Sequence, residues 1–160
     1  TSAGSRSSYT PPRRRTADLR QVGGHMGTWS GEPFGNDGAC DWSYDLIESR
    51  DLSALEEALD RVIEADDYVD GSDGEEAVAA AEVVAKLLGR GTQTDAYTED
   101  VDTWVASVGI APSSELIAKA MHVLDLIVGD QSELAELWDE GHDSDEWRSG
   151  IARLRAALAA

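Results

Sequence analysis

MGTWSGEPFGNDGACDWSYDLIE, residues 26–48, admits two readings that lead to different proteins. It gathers two of the five Trp, the only Phe and the only Cys beside Asn36, Asp37, Asp41 and Asp45. Either these side chains form a polar site, or they belong to a loop that feeds the capped start of a buried helix. Residues 26–35 hold three Gly and one Pro, which is turn material. Trp29 and Phe34 are too large to leave in water cheaply, since each buries on the order of 150–250 Å2. The loop is therefore expected to be pinned onto the body of the protein. Asn36 suits an N-cap, and Asp37 then sits in the first turn, where the helix dipole favours a carboxylate. The helix runs over about 37–49. Ala39, Trp42 and Leu46 share one face, and Cys40, Tyr44 and Ile47 the adjacent one. Asp37, Asp41 and Asp45 stack at i, i+4, i+8 on a third, where like charges repel unless an Arg or a cation compensates.

The rest of the chain keeps helical period. Asp51 caps a helix over about 52–65, or Ser53 and Glu56 form its capping box. DDYVDGSDG then tempts a calcium reading and fails it. With Gly71 as sixth residue of an EF-hand loop, Tyr68 falls at the third position and Ala77 at the twelfth, where oxygen ligands are needed. Ser72/Glu75 or Asp73/Glu76 caps EEAVAAAEVVAKLLG, an Ala-rich helix ended by Gly89 or Gly91. Glu82 is the one charge in the middle of that apolar run. A surface-facing Glu is the plainer reading, and a buried one requires polar partners. Further helices are expected near 98–108, over 115–128 from Ser113 or Ser114, over 133–140 from Asp130 or Ser132, and from Asp143 to the end. His122 lies off its helix's apolar stripe and reads as a surface or boundary residue. No strand alternation of useful length and no internal repeat occurs. The expected fold is all-α, a compact bundle of six to seven helices with the N-terminal loop packed on it.

Composition limits the function. The formal charge is −19 over 160 residues, unevenly spread. Residues 1–25 carry five Arg against Asp18 alone. They read as a disordered basic tail, or a tag or linker, with Met26 as a natural start and 26–160 as a single helical domain. The acidic remainder argues against nucleic acid and against an anionic membrane surface, because both need Lys and Arg clusters. It favours a basic protein partner. Cys40 is alone, so neither an internal disulfide nor a Cys-based zinc cluster can form. No apolar run approaches the ~20 residues of a membrane span, and a cytoplasmic location is the default.

The chemistry is sparse. Neither standard phosphate-binding Gly loop is present, and no GxSxG elbow. Cys40 lacks a positive sequence neighbour to lower its pKa and reads as structural. Asp37, Asp41 and Asp45 can hold a hard cation or pair with a distant Arg, and Glu82 can join them if its helix packs on the first. No cofactor is called for. A structural polar cluster is the plainer reading, and the balance leans away from an enzyme.

The opening run is similar to that of the DUF4259 family of bacterial proteins. Gly27, Trp29, Gly31, Phe34, Asn36, Asp37, Ala39, Asp41 and Trp42 carry the resemblance, while Ser30 and Pro33 depart from the family pattern. AVAAAEVVAKLLG, with Glu82, and SELAELWDEG, with Trp138, resemble later family segments. The resemblance spans 26–160 and implies no activity. It makes Asn36, Asp37, Asp41, Trp42 and Glu82 the residues to test. The expected function is an acidic interaction module, immunity-like or regulatory, with DNA mimicry as a special case. The alternative is a carboxylate-based enzyme, with or without a metal.

Overall fold

In the computed structural model, residues 28–160 are described, so the expectations for residues 1–25 lie outside it. Seven α-helices follow one another: α1 (Asp37–Ile47), α2 (Ser53–Ile63), α3 (Gly71–Leu87), α4 (Glu99–Val108), α5 (Ser114–Ile127), α6 (Glu133–Asp139) and α7 (Ser144–Ala159). A 3-10 turn, Ala96–Thr98, leads into α4. Among the described residues the only extended pairings are two isolated bridges, Thr28 with Asn36 and Val69 with Ser132.

Helix α3 is the axis of the bundle and packs against all six other helices. Every residue from Ala77 to Lys86 is buried. Five Ala in that span (77, 79, 80, 81 and 85) present little side-chain bulk, which lets neighbouring helices close in from several sides at once. The other helices are one-sided. Leu55, Leu59 and Val62 of α2, Leu116, Val123, Leu124 and Ile127 of α5, and Trp147, Ile151, Leu154 and Leu158 of α7 point inward at helical spacing.

The ends of α3 show what sequence could and could not supply. At its C-terminus Gly89 adopts φ +79°, the Gly89 N–H donates to the Lys86 carbonyl and the Arg90 N–H to the Ala85 carbonyl. That is a Schellman stop, as the glycine predicts. At its N-terminus the helix starts four residues before the expected Glu75. Asp70 holds the cap position without a side-chain bond, and neither expected capping box forms. Instead Glu133 Oε1 on α6 accepts the Gly71 N–H at 2.7 Å. The bridge between Val69 and Ser132 holds the two helix starts side by side, with the Val69 N–H on the Gln131 carbonyl and the Glu133 N–H on the Val69 carbonyl.

Ser113 and Ser132 cap α5 and α6 through their hydroxyls, as expected. Asp51 binds the N–H and hydroxyl of Ser53 at the start of α2. Asp143 occupies the cap of α7 but makes no side-chain cap bond. His122 is exposed on α5, as expected.

Candidate functional site

The loop before α1 closes on itself. The Trp29 and Ser30 N–H groups both donate to the Gly35 carbonyl, at 2.9 and 3.2 Å, and the Gly35 N–H donates to the Glu32 carbonyl. A Cβ on Gly35 would lie 2.1 Å from Ser30 Oγ and 2.8 Å from the Ser30 carbonyl oxygen. Only glycine permits that approach. The loop delivers Phe34 into the core, fully buried. Trp29 departs from expectation: it is 44% exposed and leans on Tyr97, itself 55% exposed, with ring centroids 5.1 Å apart. The loop is pinned through Phe34 and its backbone, and Trp29 is left at the surface.

Asn36 caps α1 as read, its Oδ1 accepting the Ala39 N–H at 2.7 Å. Ala39, Trp42 and Leu46 face inward. Asp37, Asp41 and Asp45 line the outward face and are exposed. Asp37 and Asp41 still act inward on Cys40. Burial lifts the thiol to about 11, with Asp37, Asp41 and Asp95 adding to the rise. The thiol therefore stays protonated at neutral pH and is a poor nucleophile. Burial and then Asp37 also raise the Asp41 carboxyl above its ordinary value.

Glu75, read from sequence only as a possible capping residue, is the carboxylate on α3 that faces the start of α1. A Cβ on Gly38 would sit 2.5 Å from its Oε1. Burial, with Asp37 and then Glu76 adding, lifts Glu75 from 4.5 to about 7. Glu75 borders a crevice of about 10 Å3, room for about one water. Its walls bring the opening loop (Gly31, Glu32, Pro33) against Trp138 and Trp147. Those two indoles stack at 5.9 Å with 6° between planes, and the Arg148 guanidinium lies 5.7 Å from the Trp147 ring.

Glu82 belongs to a different assembly, and the surface reading of it is wrong. It is fully buried. Its Oε2 accepts the N–H groups of Thr92 and Gln93, both at 2.8 Å, and its Oε1 accepts the Thr92 hydroxyl at 2.7 Å. Lys86 Nζ lies 3.7 Å away, bonds the Gln93 carbonyl and pairs with Asp102 at 2.7 Å. Burial pushes the Glu82 pKa up, while the bonds from Thr92 and Gln93 and the Lys86 charge pull it back. Gln93 extends the network both ways: its Oε1 accepts the Phe34 N–H at 2.7 Å and its Nε2 donates to Asp95 at 3.0 Å. Gly91 makes room for it, since a Cβ there would lie 2.5 Å from Lys86 Cγ. This network ties the opening loop, α3, residues 91–95 and the start of α4 into one unit.

The sequence-derived cluster thus divides in three. Asn36 and Trp42 build the helix and core, Asp37 and Asp41 lie outside near Cys40, and Glu82 anchors the residues 91–95. Lys86, Gln93 and Asp102 escaped the sequence reading. The i, i+4 pair Glu82–Lys86 inside an apolar run was the available signal. Among the described residues no group of three or more His, Cys, Asp or Glu is arranged to hold a metal ion. None of their helices is long and apolar enough to cross a membrane.

The architecture is an all-α domain threaded on one buried helix, with a self-closed loop and a buried polar network at one flank. The chain belongs to the DUF4259 family, a domain of unknown function, whose model matches residues 27–150. The match ends within α7. Comparison with curated proteins and with solved structures gave no match.

Proposed function

We propose that this domain is an acidic interaction module, regulatory or immunity-like, that engages a basic protein partner. The observation that carries the reading is the charge balance of the folded body. Residues 28–160 hold 31 carboxylates against eight Lys and Arg, a formal −23. Most of those few cations are already committed internally. Lys86 is buried with Glu82 and Asp102, and Lys119 pairs with Asp60. Arg61, Arg148 and Arg155 pair with Glu76, Asp139 and Asp125. The outward field is therefore strongly negative, which steers a cationic partner and repels an anionic one.

The test is binding of the full chain to a panel of defined basic and neutral proteins over a salt series. Between roughly 0.01 and 0.1 M ionic strength the screening length falls from about 30 to about 10 Å. A basic partner bound at low salt, with affinity falling over that range, supports the reading. Equal affinity for basic and neutral proteins, or none for either, defeats it.

A second reading, a carboxylate-based enzyme, is favoured by Glu75. A carboxyl lifted to about 7 beside a crevice is poised to take and return a proton at neutral pH. It predicts a bell-shaped or sigmoid pH profile near 7 that Glu75→Gln abolishes.

A further inference from the structure

The outward face of α1 and the neighbouring aromatic pair break two local rules at once. Asp41 and Asp45 stack as like charges at i, i+4 on that face, an arrangement that opposes helix formation. Trp29, Tyr97 and Tyr44 stand 44, 55 and 61% exposed, although each would gain from burial. Features that oppose folding and gather in one region are what a binding surface looks like in an unbound protein.

The aromatic pair is carried on hydrogen-bonded backbone. Trp29 hangs on the closed loop through its own N–H. Tyr97 is set by Asp95, whose side chain accepts the Tyr97 N–H at 2.9 Å within a capping box. Asp95 is tied to the start of α1 by a chain of bonds: Gln93 Nε2 donates to it at 3.0 Å, Gln93 Oε1 accepts the Phe34 N–H at 2.7 Å, and the Cys40 thiol donates to the Phe34 carbonyl at 3.8 Å. Helix α4, which follows Tyr97, is tied to the end of α1 by the Trp104 indole N–H on the Ser49 carbonyl at 2.9 Å. The Trp29–Tyr97 pair is thus linked to the start of α1, whose exposed Asp41 and Asp45 follow one turn apart on its outward face.

We propose that this surface docks an arginine-rich segment of a protein partner, with guanidinium groups stacking on Trp29 and Tyr97 and pairing with Asp41 and Asp45. The assignment rests on the interaction reading above and names where it acts. Charge complementarity selects the occupant. A planar, weakly hydrated guanidinium gains from an aromatic face and a carboxylate together, which an ammonium does less well. Aromatic side chains desolvated on binding are the usual sites of concentrated binding energy.

The experiment uses the full chain and a fluorescent peptide of alternating Arg and Gly, with anisotropy read at low salt. Trp29→Ala, and separately Asp41→Asn with Asp45→Asn, should each weaken binding about five-fold or more. Glu57→Gln with Glu64→Gln, which removes the same charge from an exposed position of α2 and from its C-terminal cap, should leave it within about two-fold. Thermal unfolding checks that each variant is folded. In the unsubstituted chain the Trp29 indole N–H resonance should shift on titration while the buried Trp147 resonance stays. Equal weakening by both charge variants, with a static Trp29 resonance, would sink this surface and leave the acidic-module reading standing. No binding of the peptide by the unsubstituted chain would count against both. Tighter binding after Arg13, Arg14 and Arg15 are replaced by Ala would assign the surface to this chain's own basic segment and overturn the proposal.

Discussion

Gln93 accepts the backbone N–H of Phe34 at 2.7 Å across 59 residues of chain, and it is itself almost fully buried. Its backbone N–H in turn reports to Glu82. One side chain thus couples the opening loop to the buried centre of α3. Replacing it with Leu keeps the bulk and removes both polar ends, leaving the Phe34 N–H without its acceptor. The expected cost is about 1–3 kcal/mol in chemical denaturation with an unchanged slope. A cost below about 0.5 kcal/mol would mean that the loop is held by Phe34 packing alone.

Glu82 supports three donors at once, so its neutral and apolar replacements should separate. Glu82→Gln keeps one acceptor oxygen and turns an N–H2 toward backbone N–H groups, at about 1–3 kcal/mol. Glu82→Leu strands the Thr92 and Gln93 donors and should cost about 3–5 kcal/mol. Lys86 keeps Asp102 in either variant. A double-substitution cycle between Glu82 and Lys86 measures what their 3.7 Å contact adds.

Glu75 gives the fold a pH dependence opposite to that of a salt-bridged carboxylate. Its folded pKa, about 7, exceeds the ordinary 4.5, so the folded chain holds the proton more tightly than the unfolded one. The resulting stabilisation is complete below about 4.5 and is lost as pH rises through 7. Glu75→Gln should be more stable than the unsubstituted chain by about 2 kcal/mol at pH 8 and indistinguishable from it near pH 4. Urea midpoints across that range decide it, and parallel pH curves would refute the shift.

Asn36 and Asp41, five residues apart, should answer differently to neutral replacement. Asn36→Ala removes the α1 cap and should cost about 0.5–2 kcal/mol. Asp41→Asn removes an exposed charge that Asp37 repels, and should fall within about 0.5 kcal/mol of no change or stabilise slightly. Thermal unfolding of the pair of variants suffices.

What the sequence revealed was whatever is local. Helical period located all seven helices. Asn36, Ser113, Ser132 and Gly89 announced their caps because a cap is chemistry within a few residues of the chain. The α3 start was missed because its cap, Glu133, lies 62 residues away. Glu82 was misread for the same reason: its partners at Thr92 and Gln93 lie past the helix end, and no periodicity encodes them. Trp29 misled because size argues for burial, while neighbours decide it.

The opening loop ends against the last helix: Gly31 is close enough to α7 that a Cβ there would lie 3.4 Å from Trp147 Cα. During synthesis that partner is made 116 residues later, a wait of roughly 6–23 s at ribosomal speeds. The first segment of the domain to be translated is thus among the last to be locked in place. A nascent chain stalled before α7 should present Phe34 to chaperones more than the finished chain, in which that ring is fully buried.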